Sequence, residues 1–264
     1  MATSPSAAGR PAADTARVGL PSPTSPAGSR SHVSPVLADA RHRRALRLRQ
    51  SLVVTLAVVS GATDAIGLLA LGGAFTSVMT GNMVLLGVSV SSRDATLAAS
   101  SGGAILAFCA GAALGARLAG SPQKGDRVWP RPVTVGLGIE FVFMAAYASG
   151  WWLTGGGPRP GVALGLLLCT AVALGIQSST VQRFGVSGMS TTYLTGTLTT
   201  VVMRLATGRS VREVWHSIEI LLGLIGGAAA GAALVLLVPL AAPVLQLAAL
   251  GAVVLIGGTV AARR

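Results

Sequence analysis

Lysine is almost missing from this chain: of its 20 basic residues 19 are Arg, and Lys124 is the one exception. Acids are also few, eight in 264 residues, as are His (three), Cys (two) and aromatic residues (4%). Each shortage excludes a kind of chemistry. Cys109 and Cys169 fall inside apolar runs without partner spacing, so they read as inert thiols and not as a metal or redox pair. His32, His42 and His216 are scattered, with no acid or thiol at metal-ligand spacing. The chain has no phosphate-cradling Gly-Lys-Ser/Thr run, no Ser with an evident base and orienting group, and no Gly-x-Gly-Asp protease motif. An enzyme is therefore not expected, nor a cofactor or a bound metal. The net charge of +12 points toward nucleic acid at first sight. Its Arg residues lie in the N-terminal tail or at the edges of apolar runs, where topology signals belong, so nucleic acid is not an expected partner.

What the chain has is apolar surface. It is 52% hydrophobic and 11% charged, with mean hydropathy +0.69 and 35 Gly. A soluble domain cannot bury that much, so the expected class is an all-α polytopic bundle in the cytoplasmic (inner) membrane, its main partner the lipid bilayer. Small residues let helices approach where lipid gives no hydrophobic drive for association. Gly111-x-x-x-Gly115 and Gly223-x-x-x-Gly227 fit such close packing, and as dimer faces they are compatible with an oligomer.

Residues 1–40, rich in Ala, Pro, Ser and Gly, contain no apolar run of signal-peptide length and read as a disordered cytoplasmic tail. Residues 41–50 form a basic collar with five Arg, which holds the N-terminus inside. Eight apolar runs follow, near 51–72, 74–90, 97–119, 133–153, 161–182, 189–206, 215–238 and 241–261. A full span needs about 20 residues, and the second and sixth runs are short and polar. Were all eight to cross, Arg117, Lys124, Arg127, Arg131 and Arg183 would face outward, against the positive-inside rule. Six full spans plus two short interrupted or re-entrant segments place nearly all Arg inside. An eight-span parallel arrangement is the alternative.

The two short runs carry one pattern twice. Gly73-x-x-Thr76-x-x-x-Thr80-Gly81 returns as Gly188-x-x-Thr191-x-x-x-Thr195-Gly196, an offset of 115 at both ends (188 − 73; 196 − 81), so residues 51–153 and 161–262 read as two membrane repeats. Three full spans per repeat make the second enter from the opposite side, an inverted arrangement in which secondary transporters place a substrate site near mid-membrane. Asp64 is the candidate coupling or substrate-facing carboxylate, since a charge at the bilayer centre costs about 2.5–3.5 kcal/mol on insertion scales. Its alternative role is to bond the free backbone and Thr/Asn side chains of the broken segment. Thr76, Thr80, Asn82, Gln177, Thr191 and Thr195 are the candidate lining, with helix cross-linking the alternative for Gln177. Gly73, Gly81, Gly188 and Gly196 are the candidate helix breaks. Glu140 and Glu219 are expected near the cytoplasmic interface, paired with Arg131 or Arg212.

Gly61-Ala62-Thr63-Asp64-Ala65, Gly72 through Asn82, and Gly188 through Leu198 closely resemble the two signatures of the YoaK-like family of bacterial inner-membrane proteins. The likeness covers about residues 50–262. It implies a multi-spanning membrane protein and supplies no substrate, the family being of unknown function. Ser77 departs from it, since the resemblance implies Ala or another small residue there. Residues and resemblance together lead to an expected secondary transporter of a small solute, with a proton or cation as coupling ion. A non-transporting membrane scaffold or accessory subunit is the alternative.

Overall fold

Among the described residues, eight helices account for the apolar runs. The computed structural model describes residues 35–121, 128–184 and 194–262, with side chains from residue 43 onward. The helices are α1 (Pro35–Ala70), α2 (Met79–Ser92), α3 (Ala95–Ala119), α4 (Arg131–Leu153), α5 (Pro160–Gln182), α6 (Leu194–Ala206), α7 (Val211–Leu237) and α8 (Ala242–Ala262), with one 3-10 turn at Pro239–Ala241. Six of them, all but α2 and α6, are long and apolar enough to cross a bilayer. α1 begins at Pro35, so residues 35–40, expected in the disordered tail, are helical, and the basic collar continues into the same helix. The remainder of the expected tail lies outside the described residues.

Glycine decides which helices meet. α1 packs along α7, and α3 along α5, as the two most extensive contacts of the bundle. A Cβ at Gly227 would overlap the Val58 carbonyl, and one at Gly111 the Val172 carbonyl. Gly231 against Ala62 and Gly115 against Ile176 repeat the fit one turn on, so both pairs run parallel. Backbones this close gain dispersion contacts that lipid cannot replace. α4 lies antiparallel to α5, with Gly136 at Thr180 and Gly150 at Leu166. It also lies antiparallel to α8, with Phe141 at Gly251 and Thr134 at Gly258. The indole N–H groups of Trp151 and Trp152 donate to Pro239 O and Leu240 O, both at 2.8 Å, and tie the end of α4 to the α7–α8 turn.

α1 stops at Ala70 because Gly72 (φ +117°) and Gly73 (φ +75°) take backbone conformations that side chains rarely adopt. Residues 71–78 then turn back along α1, where a Cβ at Gly67 would lie 2.8 Å from Ala74 O and 3.0 Å from a Thr76 methyl carbon. α2 starts partway down the bundle and climbs back to where α3 begins. Its 14 residues measure about 21 Å, too short for a hydrocarbon core of about 30 Å. The first Thr-Gly segment is thus re-entrant: it goes in extended and returns as a helix on the side it came from. Asp94 closes the hairpin by capping α3, accepting from Thr96 N and Leu97 N at 3.0 Å each.

Candidate functional site

Asp64 faces the extended leg of the re-entrant segment. It lies six residues before the end of α1, about 9 Å down the helix, and is 6% exposed. Its Oδ1 accepts from Thr76 N (2.7 Å), Ser77 N (2.7 Å) and Thr76 Oγ1 (2.9 Å), and its Oδ2 from Ser77 Oγ (2.5 Å). Four donors converging on one carboxylate satisfy backbone that no regular structure satisfies. Asn82 holds the same leg from α2: its Oδ1 accepts from Phe75 N (2.9 Å) and its Nδ2 donates to Phe75 O (2.7 Å). These are the bonds of the anchoring role offered as its alternative, and three consecutive residues, Phe75, Thr76 and Ser77, are clamped between two helices. Sequence reasoning passed over Ser77 as a harmless departure. Its hydroxyl instead makes the shortest of the four bonds, and the only available signal was a hydroxyl two residues from the start of a helix that faces an acid.

Gln177 is fully buried on α5 and donates through Nε2 to Ser60 Oγ (2.8 Å) and Leu56 O (3.4 Å) of α1. This cross-links the two helices one turn from Asp64, with Ser60 as a partner not singled out in the sequence. Other expected positions are corrected. Thr80 and Thr195 are exposed and do not join Asp64. Gly81 lies inside α2, where its small size admits the Phe75 ring, whose carbons would come within 3.1 Å of a Cβ. Gly196 lies inside α6 with open space beside it. Neither is a helix break, because both keep helical neighbours on either side. Gly73, with Gly72, is one. Thr191 and Gly188 lie outside the described residues. In α6 the Thr199 and Thr200 hydroxyls return to their own helix at Thr195 O (3.0 Å) and Gly196 O (2.8 Å), which satisfies them without a cavity.

The two remaining membrane acids also differ from expectation. Glu219 is near His216 Nδ1 (3.4 Å) and not paired with Arg212. Glu140 does not reach Arg131, which is exposed, and its side chain is fully buried on the inner face of α4. That face, Val133, Gly136, Leu137, Glu140, Met144, Tyr147, Ala148 and Trp151, turns toward α5 and α8, so the residue points inward and away from any interface. Among the described residues neither carboxyl oxygen has a hydrogen-bond partner.

Known proteins agree with the membrane architecture. The chain is 30% identical over 154 residues to the UPF0700 transmembrane protein YoaK of Bacillus subtilis (strain 168), a match covering 58% of this chain and 66% of that protein. No solved structure matches. Residues 52–257 match the family described as "Protein of unknown function (DUF1275)". That span takes in every helix placed around Asp64, Asn82, Gln177 and Glu140, and the chain belongs to this YoaK-like, DUF1275 family of membrane proteins.

Proposed function

We propose that the protein is a secondary transporter of a small solute, built as two inverted halves in the cytoplasmic membrane with its N-terminus inside. The re-entrant segment carries this reading. Non-helical backbone within a bundle is tolerated only where protein or a cavity satisfies it, and interrupted helices near mid-depth are where such transporters bind their cargo. Helix pairing supports the two halves: exchanging α1–α4 with α5–α8 turns the α3–α5 contact into α7–α1, α4–α5 into α8–α1 and α2–α3 into α6–α7. α1 and α5 run antiparallel, with Ser60 at Gln177 and Gly67 at Leu167, as an inverted pair requires. In this reading Asp64 is a latch. A proton on its carboxyl takes one acceptor site from Thr76 or Ser77, so protonation and closure of the extended leg compete.

The scaffold reading has one observation in its favour, that Asp64 and Gln177 spend their bonds inside the protein. Uptake separates the two. A panel of amino acids, sugars, carboxylates and nucleobases is screened for thermal stabilisation of the purified protein, and each hit is then tested for pH-driven uptake into proteoliposomes. Transport predicts accumulation that falls at least about tenfold in Asp64→Asn, with membrane insertion unchanged. Uptake by Asp64→Asn equal to wild type removes the latch, and absence of uptake for the whole panel favours the scaffold.

A further inference from the structure

We infer that Glu140 is a proton-binding site inside the bundle, one that holds its proton in this conformation and exchanges it with water in another. Its role in transport rests on the reading above; its proton does not. The side chain is fully buried in a crossing helix, and both oxygens lack a partner among the described residues. A bare carboxylate in such surroundings would lose its hydration with nothing in return, so the group is held as the neutral acid.

Among the described residues, no charge stands opposite it on the elements packed against α4. α8 has no titratable side chain between Ala242 and Ala262. On α5 the one titratable group is Cys169, whose Sγ–H donates to Phe143 O (3.3 Å); Arg159, before α5, is exposed, and Arg183, after it, donates to Ala119 O. On α3, Cys109 and Arg117 are exposed and Asp94 caps the far end. Arg131 on α4 itself is exposed. Tyr147, two turns from Glu140 on the same face, has a hydroxyl with no partner among the described residues.

The neighbourhood is nonetheless polar, and this sets it apart from a packing accident. Helical side chains lean toward their own N-terminus, which aims Glu140 toward Gly136, and Gly136 sits against the Thr180 side chain. Among the described residues Thr180 Oγ1 is buried and unpartnered, and the Gln177–Ser60 bond lies one turn along α5. On α8, Gln246 is fully buried, and neither amide atom has a partner among the described residues. Four helices thus bring unspent or bridging polar groups to one interior face. Such a column is costly to bury and becomes favourable once water or solute enters it. When that happens the carboxyl O–H bond breaks, the proton passes to water, and the hydrated carboxylate is left behind.

Infrared spectroscopy of the full-length protein in phosphatidylcholine/phosphatidylglycerol vesicles tests this. At neutral pH a carboxylic C=O band without hydrogen-bond lowering is expected. It should shift on [13C]glutamate labelling of the wild type, vanish in Glu140→Gln, persist in Asp64→Asn, and shift again within hours in D2O. The labelled wild type assigns the band even if the variant does not fold. A missing band shows Glu140 ionised and overturns the proposal; so does a band that D2O never shifts, since that acid exchanges with nothing. A present, exchanging band with no uptake of any solute removes the transport reading alone.

Discussion

At the level of single residues, the bonds at Asp64 differ in what they need from the side chain. Ser77→Ala removes the donor to Oδ2 and leaves that oxygen buried, which costs about 1–3 kcal/mol and is read as a lower Tm in detergent. Asp64→Asn can turn its carbonyl to the Thr76 and Ser77 amides and its NH2 to the Ser77 hydroxyl, an oxygen able to accept. Asp64→Ala can do neither, and two buried backbone N–H groups lose their acceptor. Thermal unfolding is therefore expected to rank wild type above Asn and Asn well above Ala. Equal Tm values for Asn and Ala would show that the four bonds do not hold the leg. That Asp64 needed partners was legible from an acid inside an apolar run. Thr76 and the free backbone of the broken segment were legible as its partners; the Ser77 hydroxyl was not, because its bond forms only when two glycines fold the chain back over the helix.

Helix placement was legible from composition: the apolar runs near 97–119, 133–153 and 161–182 correspond to α3, α4 and α5 with boundaries differing by about two residues at most. Pairing was not, because a Gly on a helix is equally compatible with contact and with open space. Gly226 and Gly227 make the difference measurable. Gly227 lies against the Val58 backbone, so Gly227→Ala pushes α1 from α7 and costs about 1–3 kcal/mol, whereas Gly226 has nothing within 4 Å. Gly226→Ala should instead gain about 0.5–1 kcal/mol from helix propensity. Denaturant titration of the two variants in mixed micelles checks the opposite signs. The expected contact at Gly223 and Gly227 was near the mark, and the structure extends it by one turn to Gly231. The breaks expected at Gly81 and Gly196 failed because a glycine can also sit inside a helix, at Gly81 to admit the Phe75 ring and at Gly196 beside open space.

Over the whole molecule, the re-entrant segment decides how many times the chain crosses. With α2 returning to the side it entered from, Arg93 and Arg209 lie on opposite faces; eight crossings would put them on the same face. With the N-terminus inside as proposed, and in a chain whose Cys109 and Cys169 are replaced by Ser, Arg93→Cys should react with an impermeant maleimide from outside intact cells and Arg209→Cys only after the membrane is opened. Labelling of both from one side would rule out the six-span arrangement. The positive-inside distribution pointed to this count because Arg gathers on one face of a membrane protein whatever the packing. Glu140 shows where such reasoning ends, since its distance from Arg131 along the helix suited an interfacial pair while its rotation about the helix axis turned it inward.

By itself the sequence determined that this is a membrane bundle, roughly where each helix runs, and that Asp64 and the first Thr-Gly segment interrupt it, because hydropathy, turn glycines and the cost of intramembrane charge are local properties of the chain. Only the tertiary structure decided that Asp64 and Asn82 clamp the re-entrant leg, that Gln177 reaches Ser60, and that Glu140 has no partner among the described residues. Those outcomes depend on which faces meet in three dimensions, over separations that run from seven residues for Asn82 and Phe75 to 117 for Gln177 and Ser60.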